Sequence, residues 1–161
     1  MSSEESLLVW RPLAVYLALL IALSSGARAC PGLGEAKLTL PSGDVVLAFG
    51  QQKHPILVIE RFHPGVDYAT KTDTPVTAAG AGEVVFAERD GEFGLTVAVM
   101  HGGGLETRYG HLHLVAQRVG DCVSAETIVG YSGSTGLADR PKLHFEVRRN
   151  GKPVDPLSPN Q

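Results

Sequence analysis

The sequence has no excess of positive charge. Its 161 residues include 14 lysines and arginines against 17 acidic residues, which gives a net charge of −3 at pH 7. A protein that binds nucleic acid usually carries a basic stripe that neutralises phosphates, so this composition argues against a nucleic-acid partner. The sequence also lacks a basic amphipathic segment, the feature that holds many peripheral proteins on a membrane surface.

The longest apolar run is too short to cross a membrane. Residues 12–25, "PLAVYLALLIALSS", provide fewer than the roughly 20 apolar residues that a spanning helix needs. The sequence "GARAC" follows, and Ala27 and Ala29 fit the small-residue positions of a signal-peptidase site. We therefore predict a signal peptide over residues 1–29, a mature chain that starts at Cys30, and export to the periplasm or the cell exterior. After the leader is removed, no membrane span is expected.

Cysteine is scarce, since the chain contains only Cys30 and Cys122. An exported protein meets an oxidising compartment, where these two residues can form a disulfide. Alternatively, Cys30 carries a lipid, as the first residue of mature bacterial lipoproteins does. Ala27 and Arg28 differ from the residues that usually precede a lipidated cysteine, which disfavours a lipid anchor and leaves both alternatives open.

Long helices are also missing from the pattern. The chain contains 19 glycines and 10 prolines, and no segment shows a sustained apolar period of 3.6 residues. Short runs rich in Val, Leu, Phe and Tyr predict an all-β chain, a compact sandwich or partly closed barrel of antiparallel sheets. Residues 30–40 lack apolar periodicity and are predicted to form an N-terminal arm. The predicted strands are "DVVLAF", "PILVIE", "GEVVFAER", "GLTVAVMH", "LETRYGHLHLV" and "KLHFEVR".

Two segments of the chain resemble each other. "TPVTAAGAGEVVFAERD" and "QRVGDCVSAETIVGYSGSTG" each consist of a small-residue hinge followed by a strand bounded by glycine. This pattern resembles the half-motifs of barrel–sandwich hybrids, the fold of lipoyl and biotinyl carriers. A carrier needs a lysine at the tip of a tight hairpin, whereas Lys71 lies in a polar loop and Lys142 begins a strand beside a proline. Carrier function is therefore disfavoured.

Histidine is the informative residue type. All six histidines follow the leader, at positions 54, 63, 101, 111, 113 and 144. In "RFHPGVDYA", His63 and Asp67 are four residues apart, and imidazoles with a carboxylate are ligands that Zn²⁺ prefers. In "YGHLHLV", His111 and His113 would point to the same face of a strand, either as a solvated pair or as ligands. The spacing alone does not decide between these alternatives.

The segment "KLHFEVRR" places His144 on one strand face together with Glu146 and Arg148. Leu143, Phe145 and Val147 lie on the opposite face, because strand residues alternate. The polar face is either an outer surface or part of a site, and the alternation fits both.

Taken in order, six segments of the chain resemble the lysostaphin-type (LytM) zinc metallopeptidases, which cut the peptide bridges of bacterial peptidoglycan. The resemblance runs from about residue 40 to residue 156, which predicts a peptidase domain over residues 41–157 and a tail at 158–161. It implies an antiparallel β fold, a barrel–sandwich hybrid with a duplicated motif and a narrow groove across one sheet. The segments are "LPSGDVVLAFGQQKHPI", "FHPGVDYA", "TPVTAAGAGEVVFA", "FGLTVAVMHGGGLETRYGHL", "VGDCVSAETIVGYSGSTG" and "LHFEVRRNGKPVDP".

The resemblance also implies a zinc site on the floor of the groove. By position, the metal ligands of the family fall on His63, Asp67 and His144. Two neutral imidazoles and one carboxylate leave Zn²⁺ with net positive charge, which lowers the pKa of a bound water and polarises a scissile carbonyl. The family uses a histidine at the position of His111 outside the metal shell, to orient or deprotonate the water and stabilise the tetrahedral intermediate. His101 is expected to be structural.

One position departs from the family. The family reads His-Leu-His-Phe-Glu where this chain reads Lys-Leu-His-Phe-Glu, and the missing first histidine is catalytic in active members. A lysine side chain only donates hydrogen bonds while it is charged, so Lys142 cannot serve as a general base near neutral pH.

Three hypotheses follow from this lysine. In the first, His111 is the only base and Lys142 stabilises the oxyanion, which gives a weakened zinc endopeptidase. In the second, His113 replaces the missing histidine. In the third, catalysis is lost, and the groove binds cell-wall peptides or activates a separate cell-wall amidase.

Overall fold

The structure, a computed structural model, describes Cys30 and residues 37–158. The predicted leader (residues 1–29), part of the predicted arm (31–36) and the last residues of the predicted tail (159–161) lie outside the described residues. In the described part of the chain, no helix has the length and apolar character that a membrane crossing requires.

Short antiparallel strands make up most of the described chain, which confirms the all-β prediction. Five of the six predicted strand runs contain strands, and two of them, β6 and β8, have the predicted bounds. Two 3₁₀ turns, Gly91–Phe93 and Gly102–Gly104, lie between strands. The strands are β1 Val45–Leu47, β2 Gly50–Lys53, β3 Glu60–His63, β4 Val66–Ala69, β5 Pro75–Thr77, β6 Gly82–Arg89, β7 Leu95–Met100, β8 Leu105–Val115, β9 Cys122–Val123, β10 Ile128–Ser132, β11 Lys142–Arg149 and β12 Lys152–Val154.

Ten of these strands form one sheet. Its main path has the order β1-β4-β11-β8-β7-β6-β9, with β10 joined to β5 and β8, and β12 joined to β11. The remaining two strands, β2 and β3, pair only with each other and form a hairpin beside the sheet. All of these pairs are antiparallel. The duplicated barrel–sandwich arrangement stays a prediction.

Strand β11 is buried on both faces. Phe145 and Val147 belong to the apolar core, which also contains Tyr109 of the adjacent strand β8 and Val97 and Val99 of β7. The opposite face carries His144 and Glu146, and each of these residues is only 1% exposed. The polar face of β11 is therefore part of the interior, which excludes a solvated outer surface.

The run "PILVIE" was predicted to be a strand, and this prediction is wrong. Residues 54–59 form the loop between β2 and β3, and its apolar side chains are exposed. The imidazole of His54 accepts hydrogen bonds from the backbone N–H groups of Ile56 and Leu57, at 3.3 and 3.2 Å. Val58 has a φ of 55°, a left-handed conformation that ends the extended chain and is strained for a β-branched residue. Apolar composition alone does not reveal this turn.

A disulfide joins Cys30 to Cys122 at the start of β9, with the two Cα atoms 5.4 Å apart. Cys30 itself is buried, with 6% of its surface exposed. Because the Cys30 sulfur is bonded to Cys122, it is not available for the thioether of a lipid anchor. Of the two alternatives that the sequence left open, the structure contains the disulfide.

A directed chain of hydrogen bonds crosses the core next to β7 and β8. His101 donates through Nδ1 to the carbonyl oxygen of Ala81 at 2.7 Å, so its Nε2 accepts from the Thr107 hydroxyl at 2.9 Å. The Tyr109 hydroxyl donates to Thr107 Oγ1 at 2.9 Å and accepts from the Ala79 N–H at 2.7 Å. Burial lowers the pKa of His101, which keeps the ring neutral in this arrangement. This histidine therefore has structural contacts, as the sequence suggested.

Replacing Tyr109 with phenylalanine is expected to destabilise the fold by about 1–3 kcal/mol, because the buried N–H of Ala79 loses its acceptor. Denaturant unfolding measures the loss. The matched control is Tyr68→Phe, since Tyr68 is also buried but its hydroxyl has no hydrogen-bond partner among the described residues. Removing that hydroxyl is expected to leave the free energy of unfolding unchanged or slightly higher, and equal losses in both variants would contradict the assignment.

Candidate metal centre

Two neighbouring strands and the end of the hairpin bring three candidate ligands together. Asp67 on β4 pairs directly with His144 on β11, and directly opposed residues of antiparallel strands have neighbouring side chains. His63 is the last residue of β3, at the end of the hairpin. The chain returns from His63 to β4 through Pro64 and Gly65, which places all three side chains at one point.

Gly65 makes this turn possible. A Cβ atom at this position would lie 2.4 Å from the carbonyl oxygen of Phe145 and 2.9 Å from both His144 Cε1 and Glu146 Cγ. Any side chain here would therefore push the turn away from β11. The glycine of "HPGVD" is required by close packing of backbone against backbone.

The three ligand atoms lie close together. His144 Nδ1 is 2.7 Å from Asp67 Oδ1, and His63 Nε2 is 3.1 Å from both of these atoms. Ligands of one tetrahedral zinc ion, with bonds of about 2.0–2.1 Å, are separated by roughly 3.3 Å. The spacing of the three atoms is therefore close to that of ligands sharing a single ion, and these residues form a group that could hold a metal.

In each candidate ligand histidine, the ring nitrogen that does not face Asp67 (the outer nitrogen) already has a hydrogen-bond partner. His63 Nδ1 donates to the carbonyl oxygen of Ala48 at 2.9 Å, and His144 Nε2 donates to the Glu146 carboxylate at 3.0 Å. In the neutral tautomers that these bonds select, the lone pairs of His63 Nε2 and His144 Nδ1 face the Asp67 carboxylate. Three acceptors that face each other require a positive charge between them, so the set of donor atoms fits a zinc ion.

The electrostatic surroundings of the three residues also favour a positive charge in the site. Burial disfavours the ionised form of Asp67. Without a metal ion between them, protonated His144 and His63 would donate to Asp67, and these hydrogen bonds outweigh the effect of burial and hold the pKa of Asp67 well below its usual range. Burial also opposes protonation of His144, yet Asp67 and Glu146 outweigh it and raise the pKa of this imidazole. The surroundings of His144 therefore favour positive charge, which either a proton or a metal ion can supply.

His111 reaches the same cleft from β8 and is buried. Its backbone has a φ of 58°, a left-handed conformation that is uncommon in a strand but more frequent for histidine than for most residues. His111 Nδ1 donates to the carbonyl oxygen of Thr135 at 2.8 Å, which leaves Nε2 as the acceptor. Burial lowers the pKa of His111 to about 4, against the opposing effect of the Thr135 hydrogen bond. The imidazole is therefore neutral near pH 7.

Strand alternation predicts that His113 shares a face with His111, and this prediction is wrong. The His113 side chain is 60% exposed and lies 3.7 Å from Asp73, outside the cleft. The left-handed backbone at His111 interrupts the alternation of β8, so the two side chains diverge. With this geometry, His113 cannot replace a catalytic residue in the cleft.

Lys142 lies at the site, where its ammonium forms ion pairs with the carboxylates of Asp67 and Asp139. Its ammonium is 2.9 Å from Asp67 Oδ2 and 3.4 Å from Asp139 Oδ1, and its side chain is only 4% exposed. Lys142 therefore contacts the oxygen of Asp67 that does not face His63 and His144. An ammonium in this arrangement is a donor beside the ligand group and has no lone pair to accept a proton.

The cleft over these residues is open to solvent and, with its mouth included, contains about 440 Å³ of empty space. Phe93 stacks on the His144 ring, with centroids 4.5 Å apart and planes at 24°. At the rim, the Arg61 guanidinium forms two hydrogen bonds with the Glu92 carboxylate, which links β3 to the 3₁₀ turn at Gly91–Phe93. His54 and Leu137 line the same space.

Sequence reasoning missed the partners that orient the ligands. Glu146 was placed on the face of His144, but its hydrogen bond to that histidine was not predicted; the spacing of two residues on one strand was the available signal. Glu146 also accepts from Arg148 Nε at 2.6 Å. Asp139 comes from a loop and Phe93 from a 3₁₀ turn, and no pattern in the sequence indicated that they would reach the site.

The chain is similar in sequence to known peptidases. The model of "Peptidase family M23" matches residues 61–156 of this chain. The DD-carboxypeptidase/endopeptidase Mpg of Neisseria meningitidis is 44% identical over 110 residues, which cover 68% of this chain and 25% of that protein. This chain thus spans about a quarter of the length of that curated relative.

Solved structures share the fold. The catalytic domain of the antimicrobial peptidase lysostaphin from Staphylococcus simulans superposes with a TM-score of 0.64 and 30% identity, over 71% of this chain and 90% of that domain. A zinc-containing peptidase from Vibrio cholerae superposes with a TM-score of 0.65 and 31% identity, over 70% of this chain and 35% of that one.

Proposed function

Because the chain belongs to peptidase family M23, we propose that it is a zinc-dependent endopeptidase that hydrolyses peptide cross-bridges of bacterial peptidoglycan. The resemblance to lysostaphin-type peptidases that the sequence suggested is confirmed at the level of the family and the fold. The substrate, the metal and the roles of individual residues are the content of the proposal.

One observation carries the proposal. His63 Nε2, Asp67 Oδ1 and His144 Nδ1 lie within 3.1 Å of one another, and hydrogen bonds to Ala48 and Glu146 fix the outer nitrogens of both histidines. These three residues would hold Zn²⁺, which supplies a Lewis acid for the scissile carbonyl and lowers the pKa of a water. Glu146 orients His144, and Gly65 allows the turn with His63 to approach.

Among the described residues, His111 is placed to accept a proton beside this group. His111 is neutral near pH 7, is held by Thr135 through Nδ1, and can accept a proton at Nε2 from the attacking water. Its ring centroid lies 5.9 Å from that of His144, which puts it next to the ligand group but outside it. The proton can then pass from His111 to the leaving amine, as cleavage of an amide bond requires.

The disulfide supports the proposed location. Disulfides persist in oxidising compartments and are rare in the cytosol of most organisms. The bond between Cys30 and Cys122 therefore favours export to the periplasm or the cell exterior, which is also where a peptidoglycan substrate is found. A leader over residues 1–29 remains part of this proposal.

Digestion of purified sacculi tests the function. The full chain, incubated with cross-linked peptidoglycan, is expected to release peptides cut within the cross-bridge, and mass spectrometry identifies the bond. A zinc chelator should stop the release, and added Zn²⁺ should restore it. Sacculi that stay intact with folded, zinc-loaded protein would refute endopeptidase activity.

A second candidate function rests on Lys142. This residue occupies a position that is catalytic in active relatives, and it is tied to Asp67 and Asp139. A groove of this kind could bind cell-wall peptides without cutting them, or activate a separate cell-wall amidase. Intact sacculi that nevertheless retain the protein in a sedimentation assay would support this candidate.

Replacing Glu146 with glutamine is expected to weaken zinc binding by about 10–100-fold, because the carboxylate that orients His144 loses its charge. Competition with a chromophoric chelator measures the affinity. Glu88→Gln, at an exposed position of β6, is the matched control and should bind zinc like the native chain. Equal affinities in both variants would rule out an orienting role for Glu146.

A further inference from the structure

The second oxygen of the Asp67 carboxylate has its own partner. Oδ1 faces His63 and His144, whereas Oδ2 accepts from the Lys142 ammonium at 2.9 Å. The side chains of Lys142 and Asp67 are almost completely buried, with 4% and 1% of their surfaces exposed. A carboxylate can bind a metal through one oxygen or through both, and here one oxygen is already engaged.

Asp139 keeps the lysine in this position. Its Oδ1 is 3.4 Å from Lys142 Nζ, and its Oδ2 accepts from Arg140 at 2.8 Å. The backbone fixes Lys142 as well, because its N–H donates to the carbonyl oxygen of Gly133 at 2.9 Å. Lys142 is thus anchored at both ends, and its ammonium is directed at Asp67.

The charge of the ligand group changes as a result. Two neutral imidazoles and one carboxylate carry a charge of −1, and the ammonium of Lys142 brings the sum to zero before the partly exposed Asp139 is counted. Charges in such a buried place are poorly screened, so a cation beside the ligands opposes the binding of a second cation. A neutral side chain at position 142 would remove this repulsion.

On the basis of the proposed zinc function, we infer that Lys142 is a positioning residue that restricts Asp67 to one metal-binding oxygen and weakens the hold of the site on its metal. The residue at this position thereby sets how tightly the chain keeps zinc. This role differs from that of a base or an oxyanion donor, because it acts through Asp67.

Zinc affinity and cobalt spectroscopy test the inference. The full-length native chain and the variants Lys142→Met and Lys142→Gln are titrated with Zn²⁺ against a chromophoric chelator. Both variants are expected to bind Zn²⁺ at least tenfold more tightly than the native chain. In Lys142→Met the freed Oδ2 adds a bond, so the visible absorption of bound Co²⁺ should fall from the intense four-coordinate band toward the weaker five-coordinate one. Lys152→Met, at an exposed position of β12, makes the same change in net charge and should match the native chain.

The possible outcomes distinguish failure of this inference from failure of the proposed zinc function. If the native chain and the variants all bind zinc with equal affinity and give the same Co²⁺ spectrum, the inference is wrong while the zinc site stands. If folded native chain binds neither Zn²⁺ nor Co²⁺, both the inference and the proposed function fail. Thermal unfolding checks that each variant is folded, and Lys142→Gln decides the affinity question if Lys142→Met does not fold.

Discussion

Replacing Lys142 with histidine is expected to raise the rate of cross-bridge hydrolysis by about 10²–10⁴-fold, the usual contribution of a positioned acid–base group. The lysine side chain is buried at the site, and its ammonium is bound to Asp67 and Asp139. It therefore supplies no base, which leaves His111 as the buried neutral imidazole beside the ligand group. A histidine at position 142 would supply a second imidazole able to exchange protons at the site.

The measurement is kcat/KM on a defined cross-linked peptide at saturating zinc, so that differences in metal affinity do not enter. Lys152→His, which places a histidine at an exposed position of β12, is the control and should not change the rate. If Lys142→His instead lowers kcat/KM, the lysine takes part in the reaction as this chain performs it, for example as a donor to the oxyanion. That result would favour the first of the three hypotheses drawn from the sequence.

The variant Gly65→Ala is expected to lose zinc affinity by at least 100-fold and to lower the free energy of unfolding by about 1–3 kcal/mol, the usual cost of overpacking. The added methyl group would lie 2.4 Å from the carbonyl oxygen of Phe145, and a strand backbone cannot yield as a flexible side chain does. The turn would have to move away from β11 and take His63 with it. Chelator competition and denaturant unfolding measure the two effects.

Gly80→Ala is the matched control for Gly65→Ala. A Cβ atom at Gly80 would meet its nearest neighbour at 3.5 Å, an ordinary contact distance, so both zinc affinity and stability should stay near native values. If Gly65→Ala binds zinc normally, the approach of the turn to β11 is not what sets the position of His63.

The sequence predicted the strands well, and the three residues that it named as candidate ligands lie together in the structure, because both depend on local pattern and order. Strands β6 and β8 follow alternating apolar runs bounded by glycine, and the ligand set followed from motifs in register with a known family. The pairing of Asp67 with His144 then follows from the register of β4 and β11. These features are repeated in many proteins, so a pattern is enough to find them.

The features that the sequence did not predict depend on single backbone angles and on loops. The left-handed residues His111 and Val58 broke an alternation in one case and a predicted strand in the other. The ion pairs of Lys142 require distances between β11, β4 and the loop that carries Asp139, which are far apart in the sequence. Propensity and periodicity contain no information on such distances.

The three candidate ligands are carried by two separate strand units, the hairpin of β2 and β3 and the ten-stranded sheet. Asp67 and His144 belong to paired strands of the ten-stranded sheet, whereas His63 belongs to a two-stranded unit that shares no strand pairing with that sheet. A metal ion held by all three residues would therefore be a cross-link between two separately paired units, added to the covalent links through residues 48–49 and 64–65. It would remove relative freedom of the hairpin while leaving the sheet unchanged. Loss of the ion would then be a local event, which opens one wall of the cleft and leaves the core intact.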